Sequence, residues 1–338
     1  MNLVAKALVE LGIELDAYVN NTMDDALYQE YESKIAYAEI KNPWFIKKFV
    51  IQSLEIWSQS LSEQNIAEWI ASVPKNPIPK TIAVIGAGNL PLVAFHDCIS
   101  VLVSGHSLWL KCSSDDEVLL PFILKRLIAH CPELVNKFEL KTQELQKADA
   151  LIATGSDNSA RYFEYYFRHI PTLLRKNRSS VAILDETTSD EELKMLANDM
   201  FVYFGRGCRS VSKLFVHENF NIQRIFENSV DFNYFKDHNK YANNFDYHRA
   251  IYLMNVDKFL ENDFFVLKES DGMHAPVSVY FYERYSNIDS VIEKLADHKD
   301  QLQVVCGKGF ENPLGSNQCP TLNDYADGVD TLAFLAKV

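Results

Sequence analysis

The chain has 338 residues, 47% of them hydrophobic and 23% charged, with a formal net charge of −13. That length predicts two packed domains, and the apolar supply excludes a chain disordered over most of its length. The acidic balance excludes a general nucleic-acid binder, which needs a phosphate-neutralising basic face. Six cysteines (Cys98, Cys112, Cys131, Cys208, Cys306 and Cys319) form no CxxC pair. This pattern points away from a disulfide framework or a thiolate metal site, no metal is expected, and free thiols suit a reducing cytoplasm.

In chain order, the start places Glu10 and Glu14 inside its only apolar stretch, so it does not read as a signal peptide. Residues 1–72 are predicted helical, with Trp44, Phe45, Phe49, Ile51, Leu54 and Trp57 recurring near every third or fourth place. VPKNPIPK (73–80) is a proline-rich connector. TIAVIGAGNLPLVAFHDCISVLVSG then reads as strand, glycine turn and helix, and HSLWLK as the next strand, ending at Lys111. The apolar run Leu90–Leu110 is broken by His96, Asp97 and Gly105, so no membrane span is expected. A helix over DDEVLLPFILKRLIAHCP, a strand over ADALIAT, a helix over NSARYFEYYFRHI and a strand over VAILD follow. The next helix, DEELKMLANDMFVYF, carries Leu193, Leu196, Met200 and Phe204 on one face.

Alternating strands and helices over 81–204 predict a mostly parallel sheet wrapped by helices. Beyond Cys208 the series KLFVH, DYHRAIYLM, FFVLKE and PVSVYFY reads as strand-rich, a second α/β domain.

Three strand ends carry candidate chemistry. In VIGAGNLP, Gly86 and Gly88 fit the first two places of a dinucleotide fingerprint, but Pro91 occupies the third. Asn89 on that turn either faces a developing oxyanion or caps the following helix. The strand ending at Lys111 offers Lys111, Ser113 and Ser114 where a ribose-binding carboxylate would repel a 2′-phosphate. A cation with hydroxyls favours NADP(H) over NAD(H); the alternative is a solvated strand terminus. TGSDNSARY places Gly155 and Ser156 at a strand-to-helix turn, either a phosphate site or an ordinary capped start.

The stretch YFGRGCRSVSKLFV sets Cys208 between Gly205 and Gly207, with Arg206 and Arg209 beside it. Neighbouring positive charge favours the reactive thiolate. For the other five cysteines, buried packing is the expectation.

Taken in order, GAGNLP, LWLKCSS, IATGS and GRGCRSVSKLFV resemble the aldehyde dehydrogenase superfamily, in particular its acyl-CoA reductase branch, the fatty acyl reductases of bacterial bioluminescence. The resemblance spans roughly residues 75–338 and implies an aldehyde-dehydrogenase-like α/β fold. In this reading a helical lead-in and a parallel-sheet dinucleotide-binding domain occupy 1–204, a second α/β domain with the catalytic thiol 205–320, and a segment returning to the first domain 321–338. It implies Cys208 as nucleophile, and Asn89 with the Cys208 backbone N–H as oxyanion hole. It further implies Lys111 on the adenosine ribose, Ser114 in place of the glutamate of NAD-preferring members, and Gly155 and Ser156 at the pyrophosphate.

Two departures accompany it. Aligned on Lys176 and Asn177, the hydrolytic members' glutamate falls on Thr172, and no carboxylate occurs from Tyr165 to Leu184. Near ESDGMHAPVSVYFY, Gly272 falls where a glutamate would hold the nicotinamide ribose, which leaves Glu269 as a substitute; His274 is a proton shuttle or a structural histidine. The implied activity is NADPH-dependent reduction of an acyl thioester, on CoA or an acyl carrier, through an acyl-cysteine. An acyl carrier or acyl-transfer protein is the implied partner. An aldehyde-oxidising dehydrogenase and a non-catalytic acyl-binding subunit are the alternatives.

Overall fold

The computed structural model describes residues 3–73, 78–155 and 157–338, which form two compact units. The first comprises the chain to Lys176 together with Thr321–Val338; the second is Asn177–Pro320. The division falls at 176/177 rather than 204/205, because the strand after Asn177 hydrogen-bonds only within the second sheet.

Four helices lead the first unit: α1 (Leu3–Val19), α2 (Asp25–Lys41), α3 (Lys47–Ser60) and α4 (Glu63–Trp69). Asp24 and Ser62 accept the N–H of Ala26 and Asn65, satisfying donors that a helix start leaves orphaned. Leu8, Leu11 and Leu15 of α1 form a buried stripe in one cluster with Phe45, Trp69, Ile82 and Phe95.

A sheet follows, built from β1 (Thr81–Ile85), α5 (Phe95–Val103), β2 (Ser107–Lys111), α6 (Leu119–His130), β3 (Phe138–Leu140), β4 (Ala150–Thr154), α7 (Asp157–Tyr166) and β5 (Thr172–Arg175). The strands are all parallel in the order β3-β2-β1-β4-β5. The edge strands β3 and β5 were not anticipated, being only three and four residues long. α6 starts at Leu119, since Asp115 and Asp116 lie in a separate short turn.

The second unit runs β6 (Ser179–Leu184), α8 (Asp190–Phe201), β7 (Val211–His217), α9 (Gln223–Glu227), α10 (Asn239–Met254), β8 (Leu260–Glu261), β9 (Val266–Glu269), β10 (Val279–Tyr285), α11 (Ile288–Asp297) and β11 (Leu302–Gly307). Its order is β11-β6-β7-β10-β9-β8, parallel except for β8. Two expectations are corrected here. DYHRAIYLM lies in α10, where Tyr241, Phe245 and Tyr252 are buried at helical spacing and His238 caps the start. Phe204 is not on α8, which stops at Phe201.

The chain then returns to the first unit and ends with α12 (Thr331–Leu335). There the buried Arg175 donates to Asp97 (2.8 Å), to the Thr331 hydroxyl (2.7 Å) and to the Ala326 carbonyl. Among the described residues no helix is long and apolar enough to cross a membrane.

A second polar cluster ties α1 to α6. Buried Glu14 takes two bonds from Arg126 (2.7 and 2.8 Å), one from Tyr31 (2.6 Å), and lies 2.8 Å from His130 Nε2. Burial works against the ionised carboxyl, but these partners outweigh it and hold its pKa below the ordinary value of 4.5. The stabilisation is therefore present above that value and lost as pH falls through the depressed one. Glu14→Gln is expected to destabilise the protein by on the order of 2 kcal/mol at neutral pH. Urea unfolding should show that difference shrinking once the pH drops below 4.5.

Candidate active site

In the first unit, β1 is flanked by β2 and β4, with Ile85 opposite both Lys111 and Ala153. The glycine turn after β1, the end of β2 and the Thr154–Gly155 turn therefore emerge side by side at the carboxyl edge. Connections leave β1 and β4 in opposite directions there, which is where open parallel sheets bind ligands. The Gly86 N–H donates to the Lys111 carbonyl (3.1 Å), joining two of the turns. A side chain at Gly88 would lie 2.7 Å from Ser113 Oγ, so the glycine turn rests on the loop after β2.

Asn89 is half-buried on this turn, and α5 begins only at Phe95. It is not the cap of that helix. The Lys111 ammonium is exposed and makes no hydrogen bond or ion pair among the described residues, and Ser114 is exposed. Ser113 is committed locally, its hydroxyl accepting the Asp115 N–H (3.2 Å). Asp116 is turned inward, accepting from the N–H groups of Leu92 and Leu120, and burial pushes its pKa up to about 7. Asp115 is thus the only exposed carboxylate within four residues of Lys111 on that loop before Glu117. Gly155 is half-buried and a Cβ there would lie 2.8 Å from Ser159 Cβ; Ser156 falls outside the described residues. Asn89, Lys111, Ser114 and Gly155 thus stand along one carboxyl edge.

In the second unit, the half-buried Cys208 lies between α8 and β7. Tyr203, Phe204 and Gly205 have φ of 56°, 59° and 69°, and this left-handed run ends the helix and turns the chain. Left-handed conformers of non-glycine residues cost about 1–3 kcal/mol each and persist only where surroundings over-determine them. Here the Phe204 ring packs against His238 (4.4 Å) and Phe235 (4.5 Å). At Gly205 a Cβ would sit 2.9 Å from the Met200 carbonyl.

The loop is pinned beyond that point. Ser180 on β6 donates to the Cys208 carbonyl (2.8 Å), and Gly207 and Ser210 bond to each other. Asn317 donates to the Arg209 carbonyl (3.3 Å). The 315–318 segment is itself clamped by buried Asp199, which accepts the N–H groups of Gly315 (2.6 Å) and Asn317 (3.0 Å). Cys98, Cys112, Cys131 and Cys306 are kept as thiols by burial, with Cys112 and Cys306 pushed up to about 12. Cys319 departs from the expected packing role: it is exposed.

Residues 63–230 match the acyl-CoA reductase (LuxC) family. Among solved structures the chain resembles aldehyde dehydrogenase 21 from Physcomitrella patens, in complex with succinate (12% identity, TM-score 0.62, 92% of this chain and 74% of that one). It also resembles the P. syringae indole-3-acetaldehyde dehydrogenase, in complex with NAD+ (13%, 0.63, 87% and 70%), and KauB of Pseudomonas aeruginosa (13%, 0.58, 87% and 70%). The family match over residues 63–230 and the aldehyde-dehydrogenase fold of these structures agree with the resemblance to the acyl-CoA reductase branch. No curated protein matches it in sequence.

The matched span of that branch contains Asn89, Lys111, Gly155 and Cys208. Other expected positions are placed differently. Thr172 opens β5 at the amino end of its sheet, opposite Leu151, away from the carboxyl edge that carries Asn89 and Gly155. The carboxyl end of β5 contributes no carboxylate of its own, holding Leu174 and Arg175, the latter committed to Asp97.

Glu269 is exposed at the end of β9, opposite Tyr282 and two strands from β7, and the structure does not bring it to the thiol. The His274 Nδ1 lies 2.9 Å from Ser179 Oγ, next to the Ser180 that holds the Cys208 carbonyl. Though its side chain reaches solvent, desolvation on the protein side holds its pKa below the ordinary imidazole value.

One residue went unremarked in the sequence. Lys213 on β7 is completely buried, with its ammonium 3.0 Å from Glu283 and donating to the Ser270 carbonyl. It anchors the start of the segment that carries Gly272 and His274. A lysine inside the apolar strand VSKLFVH was the available signal. Gly205→Ala is expected to destabilise the protein by about 1–3 kcal/mol through its left-handed φ and the Met200 contact. Thermal unfolding, with the rate of Cys208 alkylation as a readout of the loop, checks this.

Proposed function

We infer that this chain is an oxidoreductase of the aldehyde class, a reading that its fold and the acyl-CoA reductase match support. We propose that it reduces an acyl thioester to the aldehyde with NADPH, carrying the acyl group on Cys208. The observation that supports this reading most is the acyl-CoA reductase match, which runs through the pinned loop presenting Cys208.

The Cys208 thiolate attacks the thioester carbonyl carbon, and the Cys208 backbone N–H donates to the oxygen as charge develops there. The carbonyl re-forms with loss of the donor's thiolate, which takes up a proton from solvent, leaving the acyl group on Cys208. A reduced nicotinamide, when bound, supplies the hydride. The resulting thiohemiacetal anion collapses by breaking its carbon–sulfur bond, which releases the aldehyde and regenerates the Cys208 thiolate. Hydrolysis of the acyl-cysteine needs an activated water, and the lack of any carboxylate from Tyr165 to Leu184 favours reduction over that route. Lys111 and Ser114 favour NADPH by accepting a 2′-phosphate. The acyl donor is a CoA or carrier-protein thioester, the latter implying an acyl-carrier or acyl-transfer partner.

Intact-protein mass spectrometry after mixing with acyl-CoA is expected to show one acyl adduct, mapping to Cys208. In Cys208→Ala both adduct and turnover should vanish, while NADPH affinity stays within about twofold. Turnover retained by that variant refutes the mechanism, and aldehyde oxidation without CoA, at rates above reduction, would favour the oxidising alternative. Ser114→Glu should weaken NADPH relative to NADH on the order of tenfold, through repulsion of the 2′-phosphate.

A further inference from the structure

A pocket of about 420 Å³ opens at the carboxyl edge of the six-stranded sheet, within the second unit. Asp185 follows β6, His217 closes β7, Tyr285 and Asn287 lead from β10 into α11, and Lys308 follows β11. Four adjacent parallel strands, β11-β6-β7-β10, therefore end around one concavity. The connection leaving β7 runs toward β8 and β9 on one side, and that leaving β10 returns through α11 to β11 on the other. In open parallel sheets ligands bind beyond the carboxyl ends of the strands, where this pocket lies. Cys208 precedes the opposite end of β7, whose seven residues span about 20 Å, so this pocket is separate from the proposed active site.

Its polar groups are of both signs. Lys308 is exposed and spends one N–H on the Thr187 hydroxyl (2.8 Å). Flanking glycines hold it in place: Gly307 has φ of 147°, and a Cβ there would lie 2.6 Å from the Ile183 carbonyl. His217 Nδ1 accepts the Asn219 N–H (3.3 Å), so the neutral ring carries its proton on Nε2 as a donor. The ring stands edge-on to Tyr285 at 5.5 Å. Asp185 lines the pocket with them, and Glu186 stands beside His217 outside that lining. Asp185 accepts from the Thr187 N–H and hydroxyl and the Thr188 hydroxyl, and Glu186 lies 3.7 Å from His217 and accepts from Asn219.

We infer that this pocket binds a small organic phosphate bearing hydroxyl groups, its phosphate on Lys308 and the His217 Nε2–H and a hydroxyl donating to Asp185. A bare phosphate gains the first two contacts but meets the Asp185 and Glu186 charges with no hydroxyl to offer. A neutral sugar lacks the anion.

Calorimetric titration of the full chain with ribose 5-phosphate, inorganic phosphate and ribose tests this. Ribose 5-phosphate should bind at least tenfold more tightly than either of the others. Lys308→Met, at an exposed position, should weaken it at least tenfold, and Lys111→Met should leave it unchanged. Hydrogen exchange on the unsubstituted chain should slow at 285–288 and 307–309 when the sugar phosphate is added. Absence of binding, equal binding of inorganic phosphate, or loss in Lys111→Met in place of Lys308→Met overturns the inference. The outcome is independent of acyl transfer on Cys208.

Discussion

Three consecutive left-handed residues, Tyr203, Phe204 and Gly205, are the constraint on which the presentation of the thiol depends. Such a run is unfavourable in isolation, since two of its members carry bulky side chains. It is sustained by burial of Phe201 and Phe204 in a cluster with Phe232, Phe235, Phe264, Phe265 and Tyr280. Each fully buried aromatic ring contributes roughly 1.5–3 kcal/mol, enough together to offset the strain. The aromatic content of residues 220–265 thus acts at a distance along the chain: it forces α8 to stop early and turns the following loop toward β7.

The alternation of strands and helices over the first unit was legible because its central strands are short apolar runs bounded by glycine or polar turns. β1, β2 and β4 carry five residues each, with two to four of them buried. The edge strands escaped notice because three or four residues make no pattern. α10 escaped because its exposed Tyr247 and Met254 dilute the apolar stripe that would mark a helix. The unit boundary was misjudged for a different reason: nothing local in SSVAIL distinguishes a strand of one parallel sheet from a strand of the other, and only pairing with β7 and β11 assigns it.

At the level of the site, the glycines and the thiol could be found by type and order, whereas the supporting groups could not. Ser180, Asp199 and Asn317 all act through long-range hydrogen bonds, between residues separated by 28 to 118 positions. Lys213 illustrates the same limit, since its role follows from carbonyl and carboxylate partners far along the chain. The two sheets also use opposite edges. The dinucleotide-type turns follow the strands of the first, while the thiol loop precedes a strand of the second.

The return of residues 321–338 to the first unit makes the second an insertion within it. Arg175 and Asp97 are synthesised long before Thr331, so on the ribosome the earlier part must wait, with a buried arginine lacking its last partners, while the whole inserted body emerges. Closure of the first unit is therefore a late, non-local event in the maturation of this chain, and chaperone dependence should concentrate in that interval.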